Sequence, residues 1–346
     1  MVKGSLKFGA PPEQIVLEAN EDYWDPHYPK VERVIFENTL MGNREEAMRL
    51  CREEEGRVDI VSHIRPLDTL KVAESPFAKV VKSRDAIHFG SLFNQRKLGS
   101  KWRDIRLRKA LNYGINREEL WKYAAKGNAY NLGGVIPEGV YGYNPALELY
   151  NYDTERARSL LAEAGYPDGF ELNMITPEAW KLEAQIVSKM LERIGLKVRL
   201  EVLTHPQFLR KIYLPLMDKP PEEQEWDITI GHYQNAYGHP ELLLGYDLLE
   251  GAEIPCMEID PVYQEMWKKM ARTVSRETRE PKIRELYKYM YDRAYRIFIY
   301  SPLSLYAVNK EANFIPYKSS RLALRETSVT DDHWSVREEN QQSVAD

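Results

Sequence analysis

Tyr233, Gln234, Asn235, Tyr237 and His239 crowd the segment that follows the run WDITIG. Phenols, carboxamides and an imidazole offer hydrogen-bond donors, acceptors and flat apolar faces, and a segment of them suits reversible recognition better than bond-making. WDITIG reads as a parallel strand, and open α/β sheets bind ligands off the carboxyl ends of such strands. The plainer reading is a loop whose rings only pack. His205, His232 and His239 fit no helical pair of metal ligands and no cysteine accompanies them, so no metal is expected. The chain shows no nucleophile elbow, no P-loop and no zinc pair on one helical face. No catalytic residues and no cofactor are expected.

The totals narrow the class further. A chain of 346 residues suggests about two domains. Lys plus Arg number 48 against 53 Asp plus Glu, a net charge of −5, so the basic surplus of a nucleic-acid binder is missing. No apolar run is long enough to span a membrane, and the start MVKGSLKFGAPPEQ lacks the apolar core of an export signal. Cys51 and Cys256 are too few for a disulfide framework or a zinc site and read as ordinary thiols. The 22 Tyr and 7 Trp suit a wet binding cleft as well as cores.

These residues need a frame, and the pattern supplies one. Strands are expected over 14–20, 31–37, 78–83 and 86–94, with a helix in GNREEAMRLCREEEG and a return to strand in VDIV. The stretch DIRLRKALNYGINREEL reads as two helices, capped by Asp104 and by Asn116 with Glu119, and broken at Gly114. Arg106, Arg108 and Lys109 on the first raise the question of a DNA-binding helix-turn-helix. Asp153 caps a further helix that ends at Gly165. FELNMI follows as a strand, and Pro177 opens a helix buried through Leu182, Ile186, Met190 and Ile194. LKVRLEVL alternates as a strand, the helix HPQFLRKIYLPL precedes WDITIG, and that order is one of parallel βαβ units. Two helices, 261–274 and 281–297, lead to strands in FIYSPLSLYAVN, and the polar tail after Asp331 frays. The expected division is 1–94 in one lobe, 95–298 in a second, 299–330 back in the first, and 331–346 as tail.

IVLEANEDYW, GRVDI, FGSLFN, RDIRLRKALNYGINREEL, GGVIPEGVYGYN, YNYDTERARSLLAEAGYPDGFELNM and IGLKVRLEVL stand in the order found in a known family. Together with WDITIGHYQNAYGHPELLL they make the chain resemble the family 5 extracellular solute-binding proteins, the peptide-, nickel- and oligosaccharide-type receptors of ABC importers. The resemblance implies an α/β, periplasmic-binding-protein-like fold of type II (cluster C-like), two hinged lobes, and the part of lobe I before IVLEAN missing. It also makes the helix pair part of a receptor lobe rather than a DNA reader. The implied function is capture of a peptide, oligosaccharide or similar solute between the lobes and delivery to permease subunits, without chemistry. The implied setting is the periplasm or the cell exterior, membrane-associated, with a monomer and no nucleic acid. The same fold also serves as the ligand-sensing half of cytoplasmic transcriptional regulators, which stays open as an alternative.

Phe93 and Asn94 resemble the family's crossing segment, with hinge structure and ligand contact both open. Arg210 and Lys211 lie where relatives place a cation for a ligand carboxylate, although a solvated helix face explains them equally. Trp180, at the start of a helix, suits the wall of a cleft or a core. The family's peptide-type members carry an acidic residue four positions before the proline of this segment, where it meets a ligand ammonium. Here that position is Ala236. An unpaired buried ammonium costs several kcal/mol, so a neutral or sugar-like solute, or another anchor, is expected.

Overall fold

The computed structural model describes residues 13–40, 42–54, 56–84, 87–212, 219–234, 240–245, 247–252, 254, 256–318 and 322–337. The chain divides into two compact units. One comprises Met1–Ser83, Ser304–Tyr317 and Arg321–Asp346, and the other Arg84–Leu303 with Lys318–Ser320. The crossings therefore fall at 83/84 and 303/304, not at the expected 94/95 and 298/299. The reason is pairing: the strands on either side of the expected boundaries are ladder partners in one sheet of the second unit.

In the first unit, β1 (Gln14–Glu18) and β2 (Arg33–Glu37) form an antiparallel ribbon. α1 (Arg44–Cys51) is capped by Asn43, whose side chain accepts from the Glu46 amide, and it buries Ala47, Met48 and Cys51. β3 (Ile60–Ser62), α2 (Asp68–Ala73) and β4 (Ala78–Ser83) follow. The returning chain supplies the middle strand of this sheet, as described below.

The second unit opens with β5 (Ile87–Gly90) and then the helix pair, α3 (Ile105–Gly114) and α4 (Arg117–Tyr123). Their caps are those the spacing predicts: the Asp104 side chain accepts from the Arg106 amide and the Asn116 side chain from the Glu119 amide. β6 (Ala129–Tyr130) precedes α5 (Thr154–Glu163), which Asp153 caps as expected. Two parallel strands, β7 (Glu171–Pro177) and β8 (Lys197–Leu203), flank α6 (Lys181–Arg193). Pro177 ends β7 instead of opening α6. The buried stripe of α6 is as expected at Met190 and Ile194 but turned at its start: Leu182 is 41% exposed and Ile186 half-buried, whereas Glu183, Ala184, Val187 and Leu191 are buried. Apolar residues at 182, 184, 186 and 187 allow two registers of the 3.6-residue period, and the sheet selects the one that buries Glu183.

α7 (His205–Ile212) leads to β9 (Ile228–Thr229), parallel to β7, and β10 (Gly231–Gln234), which leaves that sheet and pairs antiparallel with β5. α8 (Pro240–Gly245) and α9 (Pro261–Ala271) follow, and α10 (Arg276–Asp292) starts five residues before the expected Pro281, which lies inside it. β11 (Phe298–Pro302) completes the sheet β10-β5-β11-β6. β12 (Ser304–Asn309) crosses back between β3 and β4, and β13 (Ala312–Asn313) pairs with β14 (Ser328–Val329). The tail does not fray directly after Asp331. His333 is buried with Nε2 2.8 Å from Asp59 Oδ1, and Trp334 Nε1 donates to the same oxygen at 3.0 Å. Cys51 and Cys256 are buried free thiols. Among the described residues, no helix is long and apolar enough to cross a membrane.

Candidate functional site

The site is built around β5, the strand with β10 on one side and β11 on the other. Gly90 makes the close approach to β11 feasible, because a Cβ there would sit 2.4 Å from the Ile297 carbonyl oxygen. The following residues are then stitched in place. Ser91 Oγ accepts from the Ile297 amide at 3.0 Å, and the Leu92 amide donates to Thr229 Oγ1 at 3.0 Å.

One side of this sheet carries a ladder of rings. Phe89 stacks on Tyr300 with centroids 5.0 Å apart, and Trp180 lies 4.6 Å from Phe89. Phe89 and Tyr300 are fully buried, and Trp180, in the 3₁₀ turn Glu178–Trp180, is half-buried. One turn into α6, the buried Glu183 accepts a hydrogen bond from the Tyr300 hydroxyl. Burial outweighs that bond and pushes the Glu183 carboxyl up to about 7, so it gains and loses its proton near neutral pH.

A different chemistry anchors the return chain. His88 is fully buried, and burial together with the nearby Arg296 charge hold its imidazole down at about 3, hence neutral. Arg296 forms a fully buried ion pair with Asp247. Arg117, buried in α4, donates from Nε to the Phe298 carbonyl at 2.6 Å and from its terminal nitrogens to the carbonyls of Ile115, Tyr150 and Asn112. Asn112 accepts from the Phe298 amide at 3.1 Å and donates to the Arg296 carbonyl at 2.9 Å. Arg108 donates to the carbonyls of Arg293, Ala294 and Trp102. Arg108 and Arg117 of the helix pair are therefore spent on backbone carbonyls, while the exposed Arg106 pairs with Asp104. Desolvation lowers Arg108 and Arg117 to about 10, and they remain cationic at neutral pH.

Each residue singled out in the sequence can now be placed. Tyr233 and Gln234 are strand residues, paired with His88 and Ile87, not loop residues beyond a parallel strand as expected. The chain changes sheets between the Ile230 amide, which bonds the Ile175 carbonyl, and Gly231. Asn235, Tyr237 and His239 lie outside the described residues. Trp180 joins the ladder. Phe93 is fully buried against Trp102, and Asn94 is occupied by the Pro221 carbonyl and the Lys97 amide, so both have structural work. Arg210 is exposed on α7, and Lys211 Nζ lies 3.8 Å from Glu201. The structure joins Trp180 to β5 through Phe89. An open depression of about 270 Å³ near Met257 is lined by Arg96, Arg103, Glu222 and Glu258, whose charges pair with one another.

Phe89, Tyr300 and Glu183 were not among the residues the sequence pointed to. The available signal was a carboxylate on an apolar helical stripe, visible once the stripe is drawn through Ala184, Val187 and Leu191.

Residues 9–252 match the model of the bacterial extracellular solute-binding proteins, family 5 middle region. Heme-binding protein A of Haemophilus influenzae is 26% identical over 159 residues, which are 46% of this chain and 28% of that protein. Di/tripeptide-binding protein 3 of Pseudomonas aeruginosa is 23% identical over 288 residues, 80% of this chain and 50% of that one. Among solved structures, the periplasmic binding protein DppA of Helicobacter pylori, in complex with the peptide STSA, superposes with a TM-score of 0.75 at 20% identity. That match covers 92% of this chain and 60% of DppA. The fold is thus the mixed α/β fold of type II periplasmic binding proteins, and the chain spans half or less of the length of these two curated relatives.

Proposed function

The chain belongs to the family 5 bacterial extracellular solute-binding proteins, and from that membership we propose that it serves as the solute-recognising part of an ABC importer. It takes up a small solute outside the cytoplasm and passes it, unaltered, to membrane permease subunits. The family match over residues 9–252 carries this reading. The chemistry of the second unit supports it: the ring ladder ends at a half-buried Trp180 against Phe89 of β5, the strand paired with the β10 residues Tyr233 and Gln234. Aromatic walls with a few placed polar groups bind solutes reversibly.

The ligand class we propose is a peptide or an oligosaccharide. Peptides are favoured by the names of the Pseudomonas protein and the Helicobacter complex. Ala236 disfavours capture of a free α-amine at that place, so the solute is held through its backbone, its ring faces or its hydroxyls. Tyr233, Gln234, Asn235, Tyr237 and His239 supply the polar contacts and Trp180 the wall.

A panel of di- to pentapeptides and oligosaccharides, read by thermal shift and tryptophan fluorescence, tests the proposal. A ligand that binds only the native state raises the melting temperature, by about 2.7 kcal/mol of stability at a hundredfold excess over Kd. A saturable shift with a matching fluorescence change supports it. A flat response across the panel counts against it.

A further inference from the structure

We propose that Glu183 is a positioning residue for Trp180, and that it holds this ring in place only while its carboxyl keeps a proton. Solute binding is then tied to proton binding, a role that rests on reading Trp180 as the wall of the solute site.

The geometry is a relay inside the second unit. Glu183 lies three residues after Trp180, in the first turn of α6, and its carboxyl accepts from the Tyr300 hydroxyl. Tyr300 stacks on Phe89, and Phe89 meets Trp180 at 4.6 Å. The carboxyl thus grips the stack at both ends, through the helix that follows Trp180 and through Tyr300. Phe89, Tyr300 and Glu183 are all buried, and close packing passes a change at one of them on to the next.

The surroundings decide which protonation state fits. Glu178 and Lys181, on either side of Trp180, are exposed, as are Lys197, Arg199 and Glu201 of β8, on which α6 packs. β7 adds only the exposed Glu171, and α3 meets α6 at its other end, through Gly114 and Ile194. His88 alternates with Phe89 along β5 and so takes the other face of that strand. On β10, His232 stands opposite Phe89 in the ladder. Among the described residues, the Tyr300 hydroxyl and the Glu183 amide favour the carboxylate, no cation joins them, and burial outweighs both. A buried carboxylate without a cation is costly. Once ionised it needs water, and α6 is open to water in this first turn, where Lys181 and Leu182 are exposed. Hydrating the carboxylate there displaces Trp180 from Phe89. A solute laid against Trp180 works in the other direction. It excludes that water, raises the proton affinity of Glu183 and takes up a proton.

The emission of Trp180, taken as the difference between wild type and Trp180→Phe, tests the coupling between about pH 5.5 and about pH 8.5. It should show one transition near pH 7. Glu183→Gln imitates the acid and should hold the low-pH emission throughout. Tyr300→Phe keeps the stack but removes a bond that favours the carboxylate, so the transition should move to higher pH. A merely structural hydroxyl would leave the midpoint in place. The peptide or oligosaccharide with the largest thermal shift should bind wild type about five times more tightly at about pH 6 than at about pH 8. Its affinity for Glu183→Gln should be the same at both. Emission without a transition, or a transition that survives in Glu183→Gln, overturns the proposal, and so does a wild-type affinity indifferent to pH. A panel with no binder contradicts the solute-binding reading instead, and the Trp180 transition then decides the coupling alone.

Discussion

The two approaches to the return strand β11 are held by different physics. On one, Arg108, Asn112 and Arg117 reach from the helix pair to the backbone of residues 293–298, so charge and carboxamide are consumed as carbonyl and amide partners. On the other, Tyr300 stacks on Phe89, Trp180 caps the stack, and a single buried carboxyl takes the tyrosine proton in a hydrogen bond. The first arrangement is saturated: the Arg117 guanidinium alone makes five hydrogen bonds. The second keeps a group that titrates near neutrality and a ring that is partly open to solvent. A fold can thus fix a strand rigidly with polar groups from one element and leave softer, more adjustable chemistry on its neighbour.

Breaking the saturated side should have the largest effect. Arg117→Ala orphans buried carbonyls and leaves a cavity, and should destabilise the protein by about 3–5 kcal/mol in denaturant unfolding. Arg117→Lys should recover only part of this, because one ammonium cannot reproduce the planar fork.

The titrating side should reveal itself through pH. The folded-state pKa of Glu183 is raised from 4.5 to about 7, so folding favours the protonated acid. That preference is fully satisfied below 4.5, and stability falls as pH rises through 7. The full loss is about 3.5 kcal/mol, from roughly 1.4 kcal/mol per unit. Glu183→Gln imitates the protonated form, so its stability relative to wild type should grow by about that amount between pH 4.5 and pH 8. Parallel stability curves for the two proteins would remove the titrating carboxyl from the account.

Trp180→Ala, which removes one ring from the stack, should cost about 2 kcal/mol and abolish any fluorescence response to a solute, whereas Trp180→Phe should keep most of the stability. Asn116→Ala deletes the cap of α4 and should cost about 1 kcal/mol. Arg210→Ala, on an exposed helix face, should change stability by less than about 0.5 kcal/mol, and an unchanged solute affinity would confirm that this cation is not an anchor.

What could be read from the residues alone follows this same contrast. Asp104, Asn116 and Asp153 were legible as caps because a cap is decided within four residues. The βαβ order of β7, α6 and β8 was legible from periodicity. The separation of WDITIG into β9 and β10 was not, because Thr229 and Gly231 take partners in different sheets, Ile175 of β7 and Gly90 of β5, from far away in the chain. Pro177 misled because a proline suits both the first turn of a helix and the end of a strand. The burial of Glu183 was hidden because the pattern admits two helix registers, and one of the hydrogen bonds that make a buried carboxyl tolerable there comes from Tyr300, more than a hundred residues later. Of the site, the spacing pointed to β10 and Trp180, and long-range pairing decided Phe89, Tyr300 and Glu183.

Equilibrium dialysis against the solute that gives the largest thermal shift, followed by mass spectrometry of the material released on unfolding, tests the central claim most directly. Saturable retention of no more than one solute per chain, with its mass unchanged, is the predicted result. Failure to retain any solute, or recovery of a cleaved or modified one, would contradict the account.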